Sequence, residues 1–479
     1  MHKLLATSAA ARPTGSSPQR KLFRVPDGVF KGRLVALFMD SATGISLTYS
    51  DNPYSSWSTP QQIISNSFDT PFSAAMDIYG NIRIVYTDAA KDIKYLKLSF
   101  AAGAWNAGSA VTVVSVDDSY NAFILAGDDG KLWCIFVNHQ VSSDFNYYVR
   151  VKISSNDGQT WGGGSLDLGT QLSSGSTNIC FVTARQLASA IYAVYTFNRS
   201  ALNYRVYDLE AGLWGAENAI HSGNYIDDNF DIDIGSDKKL GVVFAVSSVP
   251  GIYFKEFDGS AWSGLQQVEP CESKSPQIFY TGGTANIFYA GLLGNSYRIP
   301  RFATKSGDSF SVSDYSPAIG LFDTVLVYDD SAVSKYEDKT AAAGDSVGGD
   351  VFHSFSTALI ESVGDCLYLG KTNRHFCCAI VLSAAGAGGQ VVWEYFDGAL
   401  WKSFIPANGT YHFDSAERLV YLWTDGESAP IDWQVGTVNG FSAYWVRARV
   451  STAYTTKPIG SQIAPAPRLT DLVLARNGF

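Results

Sequence analysis

Charge is scarce in this sequence: Asp, Glu, Lys and Arg supply 17% of its 479 residues, and only three methionines occur. Lys and Arg are scattered without a basic run, and the formal net charge is −10. Both features argue against a surface that neutralises nucleic-acid phosphates. No window reaches the roughly 18 apolar residues of a membrane-spanning helix. The six cysteines, Cys134, Cys180, Cys271, Cys366, Cys377 and Cys378, form no C-x-x-C pair. They read as buried thiols of a protein made in a reducing compartment. Phosphate-loop and H-E-x-x-H strings are lacking, and the histidines share no metal-ligand spacing, so no metal or cofactor is expected. The first 21 residues lack the apolar run of a signal peptide. A polar arm of this kind needs a holder, and a neighbouring subunit is the expected one.

Aromatics, by contrast, make up 14% of the chain, and glycines number 44. This mixture suits many short strands joined by tight turns. An aromatic residue recurs after a polar turn at Trp57, Trp105, Trp161, Trp214, Trp262 and Phe310, at spacings of 48, 56, 53, 48 and 48 residues. Each unit opens on two Val/Ile/Phe-rich stretches around a turn such as PDG, YGN, DDGK or SDKK, the pattern of a hairpin. A third strand follows, as in DIKYLKLSF or NYYVRVKIS, then the aromatic anchor and a short fourth strand. A period near 50 with four strands predicts propeller blades. The expected fold is all-β: a six-bladed β-propeller over 22–322, preceded by the arm 1–21. Each anchor should fill the wedge between neighbouring blades.

One turn, Ser154-Ser155-Asn156-Asp157-Gly158-Gln159-Thr160-Trp161, resembles the Asp box S-x-D-x-G-x-T-W of sialidase-like propellers, with Asn156 at the Asp position. Ser154, Asn156, Gly158, Thr160 and Trp161 are therefore expected to build a structural hairpin turn. Ser50-Asp51 through Trp57 is a degenerate cousin. Phe23-Arg24-Val25-Pro26 is similar to the F/Y-R-I-P motif of sialidases, whose Arg holds a substrate carboxylate. The resemblance makes Arg24 a candidate binding residue at the channel mouth and Asp40 a weak acid/base candidate. Arg150, Arg185 and Arg205 are further arginines without family context, and no Tyr–Glu nucleophile pair can be named. Tyr297-Arg298-Ile299-Pro300 falls on a third strand in the repeat register and reads as coincidence. Fucose-binding propeller lectins bind sugar between blades through Arg, Glu and Trp, but the required blade-to-blade repetition is absent. Asp227, Asp228, Asp231, Asp233 and Asp237 form an acidic cluster without calcium-loop spacing. Asp231 and Asp233 should share one strand face, as solvated channel residues.

After Phe310 the rhythm stops. The polar stretch from Leu321 to Phe352 reads as a linker, and the short strands beyond it as a jelly-roll-like β-sandwich with a tail, together 323–479. Trp393, Tyr395, Trp401, Trp423, Trp433 and Trp445 are expected in its core or on its sheet faces. Alternation places Trp445, Arg447 and Arg449 on one face. The ordered pattern DKT…DVF…GDCLYLG…GGQVVWEYFDGALWKSF…DW…VNG…YWVRARV resembles a module of tailed-phage baseplate and tail-fibre proteins. That resemblance implies a virion structural protein made in the host cytoplasm, oligomeric and associated with other virion proteins. Its propeller would be displayed for host-surface or glycan binding, without nucleic-acid binding or membrane insertion. The alternatives are a sialidase-like glycoside hydrolase and a propeller lectin.

Overall fold

A computed structural model describes residues 8–10, 14–16, 19, 21–52, 56–68, 72–222, 228–246, 249–270, 273–293, 297–314, 321–345, 347–375, 377–407, 409–423 and 429–465. The chain divides into two units, one mainly 5–291 with 300–313, the other mainly 314–469.

In the first unit, six antiparallel sheets follow one another along the chain, each a four-stranded meander in sequence order. Their first strands are Leu22–Arg24, Ser73–Met76, Asp118–Ala126, Val182–Leu187, Phe230–Ile234 and Lys274–Thr281. Sheets 2 and 4 each gain a fifth strand paired to the third. Among the described residues, a separate apolar cluster fills the space between each sheet and the next. Stacked meanders of this kind, with first strands adjoining from sheet 2 through sheet 6, form the propeller.

Five of the six anchors do what the repeat predicted. Trp105 packs on Tyr49 at 5.9 Å, Trp161 on Tyr95 at 5.6 Å, Trp214 on Trp133 at 6.2 Å, Trp262 on Tyr204 at 5.6 Å and Phe310 on Phe254 at 5.5 Å. In every pair the partner belongs to the preceding sheet, so each anchor is an inter-sheet wedge of large apolar area.

The Asp-box turn is built as its residues dictate. Ser154 Oγ accepts the Gly158 amide at 2.9 Å, and Asn156 Oδ1 accepts the Thr160 amide at 2.9 Å. Asp157 reaches back to sheet 2, where Arg83 Nε and Lys97 Nζ donate to its carboxylate at 2.7 and 2.5 Å. Gly158 has φ +84°, and a Cβ there would stand 2.1 Å from the Tyr95 ring. Gly158→Ala should therefore cost about 1–3 kcal/mol for the left-handed backbone, with ring displacement in addition. The melting temperature of the first unit checks this. In the degenerate turn, Ser50 Oγ donates to Ser56 O at 2.6 Å and Asp51 pairs with Arg33 at 2.7 Å.

The second unit is a sandwich. One sheet runs Tyr336–Asp338, Thr324–Tyr328, Cys366–Lys371, Phe441–Thr452, Gln390–Phe396, Trp401–Phe404, with Val435–Val438 also paired to the long strand. The other runs Glu417–Tyr421, Cys377–Ala384, Ile459–Ala464. The stretch read as a linker is thus part of the sheet. Its Asp/Ala/Gly-rich composition hides Thr324–Tyr328, whose Val325 and Val327 enter the core. Trp393, Tyr395, Trp423 and Trp433 line that core, and Trp445 and Trp401 join Tyr368 on the opposite face of the large sheet. Alternation holds: Val446, Ala448 and Val450 face inward, while Arg447 and Arg449 sit outward on Glu394. Cys134, Cys180, Cys366, Cys377 and Cys378 are buried free thiols; Cys271 lies outside the described residues.

Candidate ligand-binding site

The first strand of a meander has one unpaired edge, and buried unpaired amides are costly. Here side chains of the preceding sheet's first strand, or of residues next to it, supply the acceptors. Ser73 Oγ takes the Ile124 amide at 3.4 Å, and Asn229 Oδ1 takes the Ser275 amide at 2.8 Å. Asp231 Oδ2 takes the Ile278 amide at 3.1 Å, and Asp233 Oδ2 takes the Tyr280 amide at 3.2 Å. On their other side Asp231 and Asp233 meet Arg185 of sheet 4, at 3.9 and 3.6 Å. The two aspartates do share a face, but Asp231 is buried and ion-paired where solvation was expected. Asp237 pairs with Lys239 at 2.9 Å. Asp227 lies outside the described residues. Among the described residues no group of His, Cys, Asp and Glu is arranged to hold a metal.

The described arm residues are held by their own chain. Ala9 donates its amide to Asp40 O at 3.0 Å, and Ser16 Oγ donates to Asp228 Oδ2 at 3.3 Å. Gln19 Nε2 donates to Ala122 O at 3.4 Å, and the buried Lys21 donates to Gln19 Oε1 at 3.3 Å while resting on Phe72.

A cleft of about 450 Å³ opens at the far ends of the first strands. Phe23, Met76, Phe123 and Leu125 give it an apolar floor, and Asp77, Arg83, Asp128 and Arg185 give it charge of both signs. Arg83 is fixed between Asp77 at 2.9 Å and Asp157 at 2.7 Å. The Asp128 amide is fixed by Gln186 Oε1 at 2.9 Å. The cleft is thus lined by residues of sheets 1 to 4.

Of the residues picked from sequence, only Arg185 lines this cleft. Phe23 lines it, and its neighbour Arg24 points away, exposed, by strand alternation. Arg24 pairs with Leu34 at the start of the second strand, whereas Asp40 follows that strand's end at Met39. The two therefore stand roughly 20 Å apart, at about 3.3 Å per residue. Asp40 is engaged locally, accepting from Ser41 Oγ at 2.9 Å and Gln62 Nε2 at 3.3 Å. Arg205 donates to Gln171 O at 3.2 Å, and Arg150 lies on the third strand of sheet 3. Tyr297–Ser306 is the third strand of sheet 6, as the repeat register required of Arg298.

Tyr–Glu pairs, invisible in the sequence, do occur. Tyr280 Oη donates to Glu256 Oε1 at 2.9 Å, and Tyr289 Oη to Glu269 Oε2 at 2.6 Å. Burial, then the charge of Glu256, pushes the Tyr280 phenol far above its ordinary range. A phenol held protonated is a poor nucleophile.

No protein-family model and no curated protein matches the chain. Among solved structures it is similar to an ulvan lyase of a new polysaccharide lyase family, at 11% identity and TM-score 0.49, covering 65% of this chain and 86% of that one. It is similar to a lectin from Burkholderia pseudomallei at 12% identity and TM-score 0.46, covering 59% and 80% respectively. It is also similar to the Aleuria aurantia lectin, whose structure was solved with a fucose-containing ligand, at 12% identity and TM-score 0.39, covering 59% and 91%.

Proposed function

We propose that the first unit is a glycan-binding propeller whose site is the cleft at the ends of its first strands. The observation that carries this reading is the cleft's composition. Fixed Arg and Asp side chains converge over an apolar floor, and such a mixture suits a ligand with hydroxyls on one face and C–H groups on the other. Binding is favoured over hydrolysis because Arg24 and Asp40 lie at opposite ends of their hairpin. The wider setting belongs to the same proposal: a virion component of a tailed phage, oligomeric and bound to other virion proteins, displaying the propeller to the host surface. The ordered motifs of the sandwich, from DKT to YWVRARV, support it.

A glycan array probed with the full chain tests the binding. Ala126 is exposed at the cleft's rim, so Ala126→Trp should fill the opening without touching the core. We expect binding of the best array hit to weaken at least tenfold with the melting temperature unchanged. An array without hits, or unchanged affinity in the variant, contradicts the reading. Mass spectrometry of purified particles tests the virion setting, which requires the chain among the particle proteins.

A further inference from the structure

The third strand of sheet 3, Tyr147–Ser154, carries two buried cations. Arg150 is 7% exposed and Lys152 is 2% exposed. Their cross-strand partners are Phe136 and Cys134, which belong to the cluster between sheets 2 and 3. Both cations therefore face that space, away from Val149 and Val151, which pack toward sheet 4. Burying a charge without a partner is expensive. Lys152 is provided for: Nζ donates to Val113 O at 3.0 Å, to Asp167 O at 2.9 Å and to Gly164 O.

Arg150 is not. Its Nε is sealed from solvent with no acceptor, and its guanidinium makes no hydrogen bond or ion pair with the described residues. Its one neighbour of note is the Tyr148 ring, 5.5 Å from the guanidinium carbon. Asp117 and Asp167 are near enough for Arg150 to feel their charge, yet neither is ion-paired with it. Each accepts a backbone amide instead: Asp117 Oδ1 takes the Ser142 amide of the loop after the second strand at 3.1 Å, and Asp167 Oδ1 the Gly169 amide of its own loop at 3.1 Å. Burial lowers the Arg150 pKa, as it does for a cation lacking a counter-charge.

We propose that Arg150 anchors an oxyanion-binding site between sheets 2 and 3, separate from the cleft. The planar fork offers parallel donors that match the two oxygens of a carboxylate, a sulfate ester or a phosphate. Tyr148 backs the guanidinium plane. The ligand supplies the negative charge that the protein withholds. The site would give the propeller a preference for acidic glycans, or hold an inorganic oxyanion.

Calorimetry on the full chain at fixed ionic strength separates these sources, using sodium sulfate, a glucuronic-acid oligosaccharide and a neutral gluco-oligosaccharide. We expect at least one of the two anionic probes to bind and the neutral one to show no dependence on Arg150. Tighter binding of the oligosaccharide than of sulfate assigns the site to acidic glycans; the reverse order assigns it to inorganic oxyanions. Arg150→Gln should weaken the bound anion at least tenfold, and Arg150→Lys, which keeps the charge and loses the fork, should fall between. Melting curves establish that each variant is folded, and Arg150→Lys keeps the test valid if Arg150→Gln is not. Failure of both anions to bind, or equal anion binding in wild type and variants, overturns the proposal.

Discussion

Replacing Glu394 with alanine is expected to destabilise the second unit by about 3–5 kcal/mol, because it leaves two arginines on the sheet without a counter-charge. Glu394 is 6% exposed on strand Gln390–Phe396. Arg447 Nε donates to its Oε2 at 2.7 Å, and Arg449 Nη2 to its Oε1 at 3.0 Å. Arg447 also lies 4.1 Å over the Trp401 ring and donates to Tyr368 Oη at 3.1 Å. The carboxylate is thus the hinge of an aromatic and cationic face. Burial alone would raise its pKa, but the Arg449 hydrogen bond and the Arg447 charge outweigh that and lower it. For a carboxylate with a lowered folded pKa, the stabilisation is present above the unfolded value and lost as pH falls through the folded one. Removing Glu394 together with both arginines, by methionine substitution, should cost far less than removing Glu394 alone. Equal losses in the two variants, measured by denaturant unfolding, would show that the pair is not the cause.

His375 should make the same unit sensitive to milder acid. Its ring is fully enclosed between Phe322 and Trp433, at 5.1 and 5.2 Å, and neither nitrogen has a hydrogen-bond partner among the described residues. Burial, then the charge of Lys371, pushes its pKa down to about 3. The unfolded chain binds the proton near the ordinary value of about 6.5. Stability is therefore complete above that value and falls with pH below it, by up to about 1.4 kcal/mol per unit, until the folded pKa is reached. Between pH 6.5 and 4.5 the loss from His375 alone should be about 2.3 kcal/mol. His375→Phe should flatten this slope. A pH profile identical in the two proteins would contradict the assignment.

What the sequence made legible was local. Hairpin turns and anchors such as Trp105 and Trp161 recur at a fixed distance from their own strands, so period alone revealed the sheets. The Asp-box turn closes within the span Ser154–Trp161, and its hydrogen bonds follow from residue type. The site was less legible because register and inter-sheet packing place its members. Arg24 directly precedes the Val25–Arg33 turn, and that register sends it to the opposite end of the hairpin from Asp40. Tyr280 meets Glu256 only because sheet 6 stacks on sheet 5. Arg83, which no motif flagged, lines the cleft with its guanidinium held by Asp77 and by Asp157 of the next sheet. The misread linker shows the reverse problem: a five-residue strand, Thr324–Tyr328, vanished inside a polar composition.

The most direct test of the account is where a bound glycan protects the propeller from hydrogen exchange. With the best array hit bound, amides at 74–78 and 123–130 and near Arg185 should slow, since these segments line the cleft. Protection confined to other faces of the unit, with these segments unchanged, would contradict the placement of the site at the ends of the first strands.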